Sequence, residues 1–153
     1  MKNTKILILI LTLILLCGCS SEEQNKLVKY LESNKYQCLK NVCVYESDED
    51  MDIKFKISFD IDNHLYKKEI VYSSIQSSTL EYDWSTGRID YNYKLADDDF
   101  DVTYNLDTKE YDCVSDSDND TYEIAECKHL KEDIEEEIEN YNIIIDASGE
   151  KIK

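Results

Sequence analysis

Residues 53–61 read Ile53-Lys54-Phe55-Lys56-Ile57-Ser58-Phe59-Asp60-Ile61, apolar and polar in strict alternation. Successive side chains of a strand point to opposite faces, so this pattern gives one buried face and one wet face. The same residues on a helix would scatter around its circumference. An antiparallel sheet solvated on one side is the fold element that such a segment requires.

The neighbouring residues extend that reading. Asp62-Asn63 is a turn signal, and His64 to Tyr72 returns as a strand whose inward face the pattern leaves open. Leu80, Tyr82 and Trp84 alternate with Glu81 and Asp83, and Thr86-Gly87 turns the chain. Ile89, Tyr91, Tyr93 and Leu95 then alternate with Asp90, Asn92 and Lys94. Ala96-Asp97-Asp98-Asp99 reads as a loop, Phe100, Val102, Tyr104 and Leu106 as a strand, and Asp107-Thr108-Lys109 as a turn into Tyr111 to Val114. Upstream, period two begins at Tyr36. Short strands at even spacing with brief turns predict an antiparallel meander of about six to eight strands.

A helix is expected on either side of the sheet, which makes the class α+β. Ser20 with Glu23 and Ser21 with Gln24 offer overlapping capping boxes, and Leu27, Tyr30 and Leu31 share a helical face. The prediction is a helix from about Glu22 to Ser33, stopped by Asn34. Near the other end Asp120 can cap, with Glu123 three residues on, and Cys127, Leu130, Ile134, Ile138 and Tyr141 step by three or four. Ile143 to Ile145 reads as a last short strand.

The chain opens Met1-Lys2-Asn3-Thr4-Lys5, followed by an 11-residue apolar run, Ile6 to Leu16, broken only by Thr12. A basic end and a short apolar core make a secretory signal, and a membrane-crossing helix needs about 20 apolar residues. Its last residues, Leu16-Cys17-Gly18-Cys19, resemble the lipobox of bacterial lipoproteins. That resemblance covers only the first 20 residues. It implies cleavage after Gly18, loss of Cys17 with the signal at 1–18, and a thioether-linked diacylglycerol on Cys19. It further implies residence at the cell membrane, on the extracytoplasmic face, with the lipid as the membrane contact.

Residues 19–153 then form one acidic domain of ordinary size. Of 17 basic residues Lys2 and Lys5 leave with the signal, while all 34 acidic ones remain, so the mature chain carries −19. Nucleic acid requires a basic footprint and is excluded as a partner. A basic protein or peptide is the partner that this charge would attract. Pro is absent and the mature chain has only Gly87 and Gly149, too few for a phosphate-cradling loop.

Four cysteines remain after Cys19: Cys38, Cys43, Cys113 and Cys127. Disulfides persist outside the cytoplasm, and four cysteines allow three connectivities. A two-residue turn at Lys40-Asn41 would set Cys38 opposite Cys43, which favours Cys38–Cys43 with Cys113–Cys127. The CxxC spacing of redox sites is missing, and the C-x4-C and C-x13-C spacings match no zinc finger.

Asp116-Ser117-Asp118-Asn119-Asp120 resembles the start of an EF-hand calcium loop, with Asp116, Asp118 and Asp120 as candidate ligands. Thr121 then stands where the turn glycine belongs and Cys127 where the bidentate glutamate belongs. A solvated turn before a helix, where the dipole favours carboxylates, fits the run better. Tyr82, Trp84, Tyr91, Tyr93 and Tyr104 share faces with Leu80, Ile89, Leu95 and Val102, so they read as core more than as a binding platform. His129 and Asp133, four apart on a helix, read as a surface pair. No GxSxG or HExxH motif is present, and no cofactor is implied. The expectation is a non-enzymatic binding or interaction module. Divalent-cation binding through the acidic run ranks second and an envelope enzyme third.

Overall fold

The structure is a computed structural model that describes residues 25–50, 53–118 and 120–150. Its fold is α+β, one eight-stranded antiparallel sheet with a short helix before it and a long one after. Helix α1 spans Lys26–Ser33. The strands are β1 Gln37–Leu39, β2 Val42–Asp50, β3 Ile53–Asp60 and β4 Leu65–Ser73, then β5 Gln76–Asp83, β6 Arg88–Leu95, β7 Asp98–Asn105 and β8 Tyr111–Ser115. Helix α2 spans Asp120–Ser148. Every strand pairs with its chain neighbour, so β1 and β8 are the edges.

Register fixes which residues look inward. Phe59 lies opposite both Cys43 and Tyr66, and Tyr66 lies opposite Tyr82, which faces Ile89, which faces Tyr104. This row crosses β2 to β7, and all of its members are buried. The face that the sequence left open on β4 is settled by the same register: Tyr66, Lys68, Ile70 and Tyr72 point inward, Lys67, Glu69 and Val71 outward. The outer face is a lattice of ion pairs, among them Lys56 with Glu46 at 2.9 Å and Lys67 with Glu81 at 2.9 Å. Glu81 and Asp90 are directly opposed like charges, which destabilises a pair. Lys67 offsets one and Arg88, at 2.6 Å, the other.

One helix cannot cover this sheet. Eight strands at ~4.8 Å spacing are roughly 34 Å wide. A 29-residue helix is about 44 Å long but only ~10 Å across. Helix α2 therefore lies as a diagonal band. Its first third meets β7 and β8: Tyr122 packs on Phe100 at 5.9 Å, and Lys131 sits over the Tyr104 and Tyr111 rings at 5.5 and 5.4 Å. Its last third reaches β3 to β5, where Tyr141 packs on Phe59, Tyr66, Tyr82 and Trp84 with centroids 5.1–6.1 Å away. Leu27, Val28 and Leu31 of α1 complete the core beside Ile145.

Three expectations need correction. Helix α1 begins at Lys26, not near Glu22, because Asn25 caps it by accepting a 2.8 Å hydrogen bond from Leu27 N; the Ser20 and Ser21 boxes lie outside the described residues. Asp98 and Asp99 belong to β7 and not to a loop, paired with Leu95 and Lys94. Ile143 to Ile145 are helical, because Ile145 continues the buried stripe of Ile138 and Tyr141.

Candidate functional site

The diagonal course of α2 leaves a corner of the inner face uncovered, at the β4–β5 hairpin and the strands beside it. There Tyr72 is 36% exposed and Ile75, at the hairpin tip, 57%. Where this corner meets α2 a cleft of about 260 Å³ opens. The sheet contributes Lys68, Ile70, Tyr72, Ser78, Leu80 and Tyr91, and the helix contributes Asp133, Glu136, Glu137 and Asn140.

The back of the cleft is tied together by one carboxylate. Glu137 accepts a 2.8 Å hydrogen bond from the Tyr66 hydroxyl on Oε1 and a 2.5 Å one from Lys68 Nζ on Oε2. Both ionic side chains are mostly covered, 21% exposed for Lys68 and 15% for Glu137. A buried pair whose partners are both hydrogen-bonded is tolerated, whereas either charge left alone would be strongly destabilising. Burial, and then the Glu137 charge, push the Tyr66 phenol far above its ordinary value, so it stays a donor.

The mouth is aromatic and electronegative. Tyr72, Tyr91 and Tyr93 all have phenols raised above the usual range. Burial is the first cause in each, and the Asp133 carboxylate contributes to all three. Hydrogen bonds from Ser78 to Tyr91 and from Gln76 to Tyr93 work against the shift; Gln76 Nε2 donates to Tyr93 Oη at 3.2 Å. The rings thus remain neutral at physiological pH, and Tyr72 and Tyr91 line the cleft together with Asp133. Lys68, the cation among the cleft's lining residues, is engaged by Glu137. This arrangement suits a positively charged group carried on an apolar stem.

The residues singled out from sequence are distributed as follows. Disulfides join Cys38 to Cys43 and Cys113 to Cys127, with Cα atoms 4.0 and 5.9 Å apart. The first staples the β1–β2 hairpin and the second ties α2 to β8, where the Tyr111 hydroxyl also donates to Cys127 O. His129 Nδ1 lies 3.7 Å from Asp133 Oδ1 on the surface. Asp116 spends one carboxylate oxygen on Asp99 N at 2.7 Å, clamping the end of β8 to β7. Asp118 is exposed, and the side chain of Asp120 lies outside the described residues, as does Cys19. Among the described residues no group of three or more His, Cys, Asp or Glu is arranged to hold a metal ion. None of their helices is long and apolar enough to cross a membrane.

Beside Leu80, Tyr91 and Asp133, which the sequence singled out as core or as a surface pair, the cleft brings in residues that it did not. Lys68 had a signal, since it interrupts the inward row of Tyr66 and Ile70 at period two. Glu137 had one too, lying three residues after Ile134 and four before Tyr141, inside the buried stripe. Tyr72 and Asp133 become neighbours only through the angle at which α2 crosses the sheet.

No protein-family model, no curated protein and no solved structure matches this chain.

Proposed function

We propose that this chain is a lipid-anchored, extracytoplasmic binding module of the cell envelope, not an enzyme, that recognises a basic protein or peptide by seating one cationic side chain in the cleft between α2 and β4–β6. The observation that carries this reading is that Tyr72 and Tyr91 line one cleft together with the carboxylates of Asp133, Glu136 and Glu137. The size of the cleft limits the ligand. Sites for whole small molecules run from ~300 to ~1,000 Å³, and about 260 Å³ is room for one long side chain. The two disulfides support an oxidising compartment. The net charge, −17 for the whole chain and −19 once cleaved after Gly18, supports a basic partner through long-range attraction. Two acyl chains on Cys19 would hold the domain stably at the membrane.

The test uses the full chain in mild detergent and a lysine-rich probe peptide, with the same peptide acetylated at every lysine as control. The expected result is binding of the first only. Tyr72→Ala should weaken it about fivefold, the value of an exposed cation–π contact. Asp133→Asn should weaken it by a factor of about three at low salt, and less as salt rises. Equal binding of both probes, or indifference to both substitutions, contradicts the cleft. For the anchor, Cys19→Ala should move the protein from the membrane to the soluble or precursor fraction.

A further inference from the structure

One edge of the sheet is left half open. Strand β2 runs nine residues, Val42–Asp50, but β1 covers only Val42, Cys43 and Val44. From Tyr45 onward no strand of the described residues pairs with that side. Backbone direction alternates along a strand. Asn41 O accepts from Ile61 N at 2.9 Å on the β3 side, so the odd-numbered backbone groups of β2 face β3 as far as Ser47, beyond which a bulge shifts the register before Asp50 pairs with Ile53. The even-numbered ones face outward: Val42 and Val44 meet β1, and Glu46 meets no strand. Where β1 stops, a groove of about 680 Å³ opens along the edge, lined by Lys35, Gln37, Leu39, Tyr45, Glu46 and Lys56.

We propose that this edge receives an extended, basic peptide segment of a partner, added antiparallel to β2 in line with β1. An unpaired strand edge is a template for main-chain pairing, with side-chain chemistry choosing the partner. The sequence of this stretch of β2 is Tyr45-Glu46-Ser47-Asp48-Glu49-Asp50, four carboxylates in six residues. That charge argues against a second copy of this chain, because two such edges would set like charges opposite each other. It also argues against the chain's own segment Ser20-Ser21-Glu22-Glu23-Gln24, which is acidic as well. Lys56 and Glu46 neutralise each other at 2.9 Å, which leaves Asp48, Glu49 and Asp50 as the excess negative charge of this stretch of sequence. Lys35 remains as one positive charge at the mouth of the groove. Alternate residues of the added strand would fall beside Tyr45 and Phe55, whose rings lie 5.6 Å apart on the inner face, and the others beside Glu46. The partner segment is thus apolar and basic in alternation. The proposal rests on the basic-partner reading for its charge and is independent of the cleft for its geometry.

The probe is a nine-residue peptide alternating lysine and valine, with a glutamate–valine peptide and a centrally proline-substituted lysine–valine peptide as controls. In the unmodified full chain, the lysine–valine probe should slow hydrogen exchange of the Glu46 amide about tenfold or more, and the controls should not. Glu46→Pro removes that outward N–H while sparing the odd-numbered bonds to β3, an edge position at which proline is tolerated. It should weaken probe binding about tenfold, or 1.4 kcal/mol, while Tyr72→Ala leaves Glu46 protection in place. Unchanged exchange at Glu46 with the probe bound overturns strand addition, whatever the cleft does. Protection at Glu46 combined with an overall probe affinity that Tyr72→Ala leaves unchanged supports the edge and removes the cleft.

Discussion

Tyr141 shows how tightly the aromatic centre is drawn. Its ring touches four others, yet its hydroxyl is buried without a hydrogen-bond partner among the described residues. Burial is the first cause that pushes its phenol well above the usual range, with Tyr82 adding to it. A buried polar atom left unmade is a standing loss of about 1–3 kcal/mol. Tyr141→Phe should therefore raise stability by about 1 kcal/mol in chemical unfolding, with no change in the denaturant slope. A loss of that size would mean that the hydroxyl has a partner. The turns carry a related lesson. Lys35, Lys40, His64, Ala96 and Lys109 all have φ between 56° and 70°, a region that glycine or asparagine would signal. Gly87 and Gly149, with φ of 72° and 69°, announce themselves in the sequence. Turn positions were legible from the polar clusters around them, but the backbone conformation inside them was not.

At the scale of elements, the strands were legible because burial on one face imposes period two, and β3 is its clearest case. The boundaries that moved did so for local reasons. Asn25 caps α1 at Lys26. The β-branched run Ile143-Ile144-Ile145 favours a strand by propensity, but Tyr141 and Ile145 lie one helical turn apart on the stripe facing α1 and the sheet. Tertiary burial overrides the propensity. The stripe also grades α2 along its length. Leu130, Ile134, Ile138, Tyr141 and Ile145 are buried, whereas Ile124 in the first turns is 73% exposed. The disulfide of Cys113 with Cys127 is thus the main anchor of the N-terminal third. Replacing both cysteines with serine opens a loop set by a sequence separation of 14, worth about 3 kcal/mol on the chain-entropy model. Amide exchange should quicken over residues 121–128 while Leu130 onward stays protected. Loss of protection along the whole of α2 would show that the disulfide, and not the core stripe, holds the helix to the sheet.

For the molecule as a whole, the geometry of one long helix on a wide sheet produces the features with functional content. Among the described residues, the diagonal leaves one corner of the inner face uncovered, and the brevity of β1 leaves β2 unpaired on its outer side from Tyr45 onward. Neither was legible in the sequence, because crossing angle and strand coverage follow from packing between segments far apart in the chain. Charge was legible, and it sets what those surfaces attract. Long-range attraction by a chain of net charge −17 accelerates encounter with any cation, so weak binding of a basic peptide alone would not identify a site. The location of the contact would. The most direct measurement is a map of backbone and side-chain chemical-shift changes across the full chain, recorded at moderate salt with the lysine-rich probe. The account predicts changes concentrated at Tyr72, Tyr91, Tyr93, Asp133 and the Glu46 edge, with little at the outer-face carboxylates Asp90, Asp101 and Asp112. Changes spread evenly over the acidic surface, fading together as salt is added, would contradict it.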